Sequence, residues 1–175
     1  MAVEETSIIA AASKTAKWVR EQGDIRTEVR GSEIVGQIQV ARVGDFERFR
    51  AKILSVKSRL IEDANREIAY GLVRRGGGVS SLDVRSVPRG DGGWMAVVHV
   101  YVNPCDAMGA NVMNQVCEYL KQPIEELTGE TVTMCILSNL VDSKVTRATV
   151  RLRGQAPELI EKITEASLFA QQDPY

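Results

Sequence analysis

Two spacings of apolar residues alternate along the chain, and each change of spacing marks a new element. From Ser7 to Arg20 apolar side chains recur every three or four residues, which predicts an amphipathic helix that ends at Gly23. The segment from Glu33 to Val43 alternates between two faces and predicts a half-buried strand. Beyond the capping residue Asp45 the helical spacing continues to Leu72, so the sequence predicts a single helix of about seven turns.

The rest of the chain repeats this order of strands and helices. Gly76 to Gly78 ends the long helix, and Pro88 to Gly93 has the composition of a hairpin turn. The other predicted elements are the strands Leu82–Val87 and Trp94–Val102, a helix from Asp106 toward Gly129 that Pro123 kinks or divides, the strands Thr131–Leu137 and Val145–Leu152, and a helix over Pro157–Ala170. Because two helices cross over four strands in the order βαββαβ, we predict an α+β fold, a ferredoxin-like plait with flanking helices.

Composition and charge argue against several classes of protein. The chain has 175 residues, 44% of them hydrophobic, which is enough for a sizeable core, and its net charge of -1 offers no basic surface to nucleic acid or to a membrane. No apolar run approaches the roughly 20 residues of a membrane span, so we expect a cytoplasmic location. Cys105, Cys117, Cys135 and the single histidine, His99, lack the spacing of a metal site or a disulfide framework. We therefore predict no metal and buried free thiols.

The segment Asp106-Ala107-Met108-Gly109-Ala110-Asn111 joins a predicted strand to a predicted helix. A helix start offers unpaired N–H groups and a partial positive charge, and small residues let an anion such as a phosphate approach them. A second interpretation is structural: Asp106 caps the helix, and the small residues serve helix packing. The spacing alone leaves both interpretations open.

Three segments, in order along the chain, resemble the bacterial and archaeal type, called class II, of the 3-hydroxy-3-methylglutaryl-CoA (HMG-CoA) reductases. Asp106–Asn111 is identical to the dinucleotide-binding motif of that family. Val3–Ser13 is similar to the segment that carries the catalytic glutamate, and Ile136–Leu140 is similar to the strand end that follows the small domain. The resemblance implies a two-step reduction of HMG-CoA to mevalonate and coenzyme A by two reduced nicotinamide dinucleotides.

The resemblance also implies roles for individual residues. Glu5 matches the catalytic glutamate, with Glu4 as the alternative if the register shifts by one, although an acidic residue is also ordinary at a helix start. Ser7 and Asn139 approach the hydroxymethylglutaryl group, and Asp106 with the peptide groups of Ala107, Met108, Gly109, Ala110 and Asn111 lies along the ribose and pyrophosphate. The resemblance implies that the family's catalytic lysine, aspartate and histidine have no counterpart here, because in class II relatives they lie beyond the segment that matches Asp173–Tyr175. His99 does not match that histidine. We therefore expect the isolated chain to be inactive.

The residues after the triple glycine bear on the choice of cofactor. NADH-preferring relatives carry an acidic residue where this chain has Ser81. Ser80 and Ser81 remove a carboxylate that would repel a 2′-phosphate, and Arg85 offers a cation, so we predict a preference for NADPH. If Asp83 contacts the ribose instead, NADH is the alternative.

The family architecture implies three segments in this chain. Residues 1–30 would form the margin of a large substrate domain, residues 31–142 the small NAD(P)-binding domain, and residues 143–175 the return to the large domain. The isolated chain should then expose apolar faces around Ile8, Ile9 and Phe169, and the full-length enzyme would be a homo-oligomer built from dimers. A stand-alone regulatory module that binds a nucleotide is the alternative function, because fold alone does not define function.

Overall fold

The computed structural model describes residues 6–140 and 142–172, which form six helices and six strands. The helices are α1 (Thr6–Gln22), α2 (Phe46–Ser55), α3 (Lys57–Glu67), α4 (Tyr70–Val73), α5 (Ala110–Thr128) and α6 (Pro157–Gln172). The strands are β1 (Gly23–Arg30), β2 (Ile34–Val43), β3 (Gly78–Pro88), β4 (Trp94–Asn103), β5 (Met134–Leu137) and β6 (Val145–Leu152). Within the described ranges no helix combines the length and the apolar character needed to cross a bilayer.

The described residues fall into two compact units. In the unit that spans Val29–Val145, β2, β3, β4 and β5 form one antiparallel sheet in the order β3-β4-β2-β5. The other unit holds α1, α6 and most of β1 and β6, which pair with each other in a second sheet. The mixed helix and sheet architecture was predictable from apolar spacing, but β1 was not, because its apolar residues Ile25 and Val29 stay 58% and 76% exposed.

One face of the four-stranded sheet carries the core. The alternate residues Ile38, Val98 and Val100 point into this core and are fully buried, together with Phe49 of α2 and Leu120 of α5. The opposite face carries polar side chains instead, among them Gln37, Arg85, His99 and Tyr101. The helices therefore cover one side of the sheet and leave the other side open to a ligand or to another part of the protein.

The prediction of one continuous helix between Asp45 and Leu72 is wrong, because this segment forms three helices separated by two breaks. Asp45 caps α2 as expected, with its carboxylate 3.0 Å from the Arg48 N–H. The helix then breaks at Val56, where the preceding Ser55 hydroxyl donates to the Lys52 carbonyl oxygen and competes with the helical hydrogen bond. A second break follows α3, where two successive N–H groups share the carbonyl oxygen of Ala64.

Three further details differ from the prediction. Pro123 does not divide α5, which is continuous from Ala110 to Thr128, with Ile124 fully buried beside the proline. Strand β3 begins at Gly78, earlier than predicted, and β5 begins at Met134, later than predicted. These shifts lie at element ends, where apolar spacing carries little information.

The exposure predicted for the other unit is confirmed. Ile8 and Ile9 on α1 are 48% and 40% exposed, and Phe169 on α6 is 66% exposed. The prediction of buried thiols holds for Cys117 alone, since Cys105 and Cys135 are half-buried. Burial raises the pKa of the Cys117 thiol to about 12 and that of Cys135 to about 11.

Candidate functional site

The sheet register places several predicted site residues at one end of the four-stranded sheet. Gly78 lies opposite Asn103, Ile34 opposite Val102, and Gly36 opposite Leu137. Because neighbouring strands run antiparallel, β3 and β2 start at this end, and β4 and β5 finish there. The two serines of β3, the Asp106–Asn111 loop after β4 and Asn139 after β5 therefore share this end, which we call the motif end.

Within the Asp106–Asn111 segment, residues 106–109 precede the helix, so the prediction that α5 runs from Asp106 is wrong. Cys105 adopts a φ of 55°, and the Ala107 N–H donates to the Pro104 carbonyl oxygen at 3.1 Å, which fixes a turn where the helix was expected. Helix α5 starts at Ala110, its N-cap is Gly109, and Asp106 is exposed. The interpretation of Asp106 as the helix cap is therefore excluded.

Gly109 is held in a conformation and a space that suit glycine. Its φ is +86°, and a Cβ atom there would lie 2.6 Å from Cβ of Pro104 and 2.7 Å from Cδ1 of Ile34. Among the described residues no side chain caps the start of α5, and its first turn holds no acidic residue. The first N–H groups of α5, flanked by Ala110 and the exposed Asn111, thus remain suited to an anion, as a pyrophosphate requires.

The two serines of β3 are presented by a bulge. The register shifts between Val79 and Ser81, so Ser80 has no partner in the β4 ladder. The side chain of Asn65, on α3, bonds both backbone groups of Val79, accepting from its N–H at 2.7 Å and donating to its carbonyl oxygen at 2.8 Å. Gly78 precedes the bulge with a φ of +109°. Asn65 was not predicted as a site residue, because nothing in the sequence signals a contact between α3 and β3.

The charges next to the serines differ from those that the sequence suggested. Lys57 donates from Nζ to Oγ of Ser81 at 3.0 Å, and Ser80 donates to the carboxylate of Glu33. Arg85, predicted to act with the serines, instead places its Nε 3.3 Å from Nε2 of His99. The structure therefore does not bring Arg85 to Ser80 and Ser81.

A pocket of about 560 Å³ lies on the open face of the sheet and reaches the segment after β5. Its lining includes Arg85, His99 and Tyr101 from β3 and β4, and Asn139. Burial, followed by the charge of Arg85, lowers the pKa of His99. Since Arg85 donates its Nε–H, Nε2 of His99 acts as acceptor, so the imidazole in this arrangement is neutral. His99 thus has Arg85 as a hydrogen-bond partner.

Backbone hydrogen bonds fix the segment that carries Asn139. The Ser138 N–H donates to the Val35 carbonyl oxygen, and the Leu137 N–H donates to Oδ1 of Asn114, both at 2.8 Å. Ser138 is nearly buried, and its hydroxyl accepts from the Leu140 N–H at 3.3 Å. Asn139 itself is exposed at the pocket. The sequence reasoning missed Asn114 and Ser138, although Ser138 lies inside a segment that it singled out.

The remaining predicted residues lie elsewhere. Ser7 is exposed on α1, in the other unit, and Glu5 lies outside the described residues. No group of three His, Cys, Asp or Glu side chains suited to a metal ion occurs in the part of the chain that the structure describes.

The fold and the motif end define a mixed α/β protein with an uncapped helix start, suited to an anion, beside an open sheet face. Comparison with known proteins then identifies the family. The family model for hydroxymethylglutaryl-coenzyme A reductase matches residues 1–175, so the chain belongs to that family, as the sequence motifs indicated.

Individual relatives agree with this assignment. The 3-hydroxy-3-methylglutaryl-coenzyme A reductase of Archaeoglobus fulgidus is 38% identical over 178 residues, which cover 100% of this chain and 40% of the relative. A probable reductase of Borreliella burgdorferi is 28% identical over 85% of this chain. A class II reductase of Streptococcus pneumoniae solved with bound NADPH is 35% identical, with a TM-score of 0.84 over 99% of this chain and 48% of that protein. The chain thus spans less than half the length of these relatives.

Proposed function

We propose that this chain is the part of an HMG-CoA reductase that holds the nicotinamide dinucleotide. The observation that carries the proposal is the uncapped start of α5, which lies within the Asp106–Asn111 motif at the same end of the sheet as Ser80, Ser81 and Asn139. Membership of the family and the NADPH-bound solved neighbour support the same cofactor class. The proposed overall reaction converts HMG-CoA into mevalonate and coenzyme A.

From the order of strands at the motif end we propose a contact for each part of the dinucleotide. From β3 to β5 the sheet is four strands wide, about 14 Å at about 4.8 Å per strand spacing. Ser80 and Ser81 would contact the adenosine ribose on β3, and Asp106 with the N–H groups of Gly109 to Asn111 would hold the ribose and pyrophosphate in the middle. Asn139, after β5, would lie toward the reacting end, where the reduced nicotinamide supplies the hydride.

The architecture supports a finer proposal about the fold and domains. Chain order βαββαβ with sheet order β3-β4-β2-β5 and antiparallel neighbours is the arrangement of a ferredoxin-like plait, the fold that we propose for residues 31–142. Residues 1–30 and 143–175 would belong to a larger substrate domain, in which Ser7 contacts the substrate and Glu5 exchanges protons. We further propose that the complete enzyme is a dimer-based oligomer.

This division of roles limits what the 175-residue chain should do alone. Hydride transfer places negative charge on the thioester or aldehyde oxygen, which must be stabilised by a positioned cation or donor. The motif end holds groups that bind and orient, but the family's catalytic lysine, aspartate and histidine have no counterpart in this sequence. The chain should therefore bind dinucleotide without reducing HMG-CoA.

Calorimetric titration of the 175-residue chain with NADPH and with NADH tests the proposal. Asp106→Ala should weaken binding about tenfold, since it removes one hydrogen bond from a charged group. Glu118→Ala is the matched control, because Glu118 is an exposed acidic residue farther along α5. A folded chain that binds neither dinucleotide would overturn the proposal, and so would equal losses in the two variants.

A further inference from the structure

Ser80 and Ser81 are adjacent in β3 but contact groups of opposite charge. Oγ of Ser81 accepts from Nζ of Lys57 at 3.0 Å. Oγ of Ser80 donates to the Glu33 carboxylate and lies 3.2 Å from the carbonyl oxygen of Tyr101. Lys57 lies at the start of α3, and Glu33 is the residue before β2. Two separate elements therefore bring these charges to the two adjacent serines of β3.

Both charges are available to a ligand. In the described part of the chain, neither Lys57 nor Glu33 forms an ion pair. Lys57 contacts the neutral hydroxyl of Ser81, and Glu33 contacts the neutral hydroxyl of Ser80. Ser81 uses its oxygen as the acceptor for Lys57, which leaves its hydroxyl hydrogen free to donate. An ammonium group and a hydroxyl donor 3.0 Å apart form a suitable pair for a phosphate oxygen.

Arg85 does not occupy this position. It lies four residues beyond Ser81, about 13 Å along the strand at about 3.3 Å per residue, and its guanidinium contacts His99 on the open face. The cation that contacts Ser81 is instead Lys57, which precedes it by 24 positions in the sequence.

We infer that Lys57 and Glu33, rather than Arg85, set the preference between a dinucleotide that carries a 2′-phosphate and one that does not. This inference rests on the proposed function and assigns its specificity. Lys57 and the Ser81 hydroxyl bind the 2′-phosphate of NADPH. The Glu33 carboxylate, held by Ser80, opposes that phosphate and accepts a hydrogen bond from the 2′-hydroxyl of NADH.

Substitutions of Lys57 and Glu33 should have opposite effects on binding of the 2′-phosphorylated ligand. Lys57→Met keeps an unbranched side chain of nearly the same length and removes its charge, so it should weaken binding of the 2′-phosphorylated ligand about 10- to 100-fold and change binding of the unphosphorylated one little. Glu33→Gln keeps the shape and removes the negative charge, so it should strengthen the phosphorylated ligand and weaken the other. Lys57→Arg should retain most of the original preference, because it keeps the cation.

Equilibrium binding to the 175-residue chain tests this without any turnover. Adenosine 2′,5′-bisphosphate and 5′-AMP serve as probes that differ by the 2′-phosphate, alongside NADPH and NADH, and calorimetry gives each dissociation constant. Arg59→Met is the matched control: Arg59 is an exposed cation on α3, and residues two apart on a helix do not share a face. Circular dichroism confirms that each variant is folded.

The outcomes separate the inference from the function on which it rests. Opposite shifts of the affinity ratio in Lys57→Met and Glu33→Gln, with no shift in Arg59→Met, support the inference. Binding of both dinucleotides with an unchanged ratio in both variants overturns it and leaves the proposed function standing. A wild-type chain that binds none of the four ligands overturns the proposed function and the inference with it.

Discussion

Replacing Gly109 with alanine should destabilise the unit that spans Val29–Val145. At a φ of +86° a residue with a Cβ costs about 1–2 kcal/mol. The new methyl group would also lie 2.6 Å from Pro104 and 2.7 Å from Ile34, and such overpacking costs about 1–3 kcal/mol. Together these give a loss of about 2–5 kcal/mol in the free energy of unfolding, a large part of the stability of a typical domain.

Gly76→Ala separates the two contributions. Gly76 has nearly the same φ, +87°, but an added Cβ would find no atom within 4 Å, so this variant should lose only the conformational part, about 1–2 kcal/mol. The difference between the two variants then measures the close approach of Gly109 to Pro104 and Ile34. We expect that difference to be about 1–3 kcal/mol.

Urea unfolding monitored by tryptophan fluorescence measures both values. Trp18 lies in the other unit, so a Trp18→Phe background leaves Trp94 of β4 as a reporter of the unit that contains Gly109. Each unit must unfold in a two-state manner for the comparison to hold, which agreement between fluorescence and circular dichroism checks. Equal destabilisation by Gly109→Ala and Gly76→Ala would refute the steric part of the reasoning.

Two further predictions concern the β3–β4 hairpin and the bulge that precedes it. Asn65→Ala removes both side-chain bonds to Val79 and should lower the unfolding free energy by about 1–3 kcal/mol, read from the same urea titration, whereas an unchanged midpoint would contradict the role of Asn65 in holding the bulge. The hydrogen bond from Arg89, with a smaller contribution from the Gly93 N–H, lowers the pKa of Asp91 from 3.8 to about 2, so the stability from this carboxylate is complete above 3.8 and is lost as the pH falls toward 2. Asp91→Asn should therefore reduce the loss of stability between those pH values in urea midpoints, and identical acid profiles for variant and wild type would count against it.

Apart from β1, apolar spacing predicted the order of the elements, but it did not predict where the long helix breaks. In β2 and β4 alternate residues are buried in the same core, and the sequence therefore shows an apolar alternation that predicts a strand. The break at Val56 depends on the rotamer of one hydroxyl, that of Ser55, which the apolar pattern does not record. Helical spacing persists across the break because α2 and α3 bury the same side of the chain against the sheet, with Ile53 and Leu60 both in the core.

The Asp106–Asn111 segment could be recognised from the sequence, whereas the contacts of Ser80 and Ser81 could not. The residues Asp106–Asn111 act through a local turn and a helix start, so neighbouring letters carry the signal. Glu33, which contacts Ser80, and Lys57, which contacts Ser81, lie 47 and 24 positions away in the sequence. The cation that the sequence of β3 itself suggested was Arg85, whose side chain contacts His99 instead. Contacts across elements depend on packing, which a single sequence does not display.

At the motif end, both edge strands of the sheet receive hydrogen bonds from side-chain amides. Strands β4 and β2 are bonded on both sides, whereas, among residues 6–140 and 142–172, β3 and β5 have a strand neighbour on one side only. At the motif end each edge strand gains a side-chain amide in place of the missing neighbour: Asn65 bonds Val79 of β3, and Asn114 bonds Leu137 of β5. Because a slip of one residue would turn every side chain of a strand to the other face, these amides hold Ser80, Ser81 and Asn139 in register with the loop after β4. The groups that we propose to bind the cofactor can therefore lie on the outer strands of the sheet and still be positioned relative to one another.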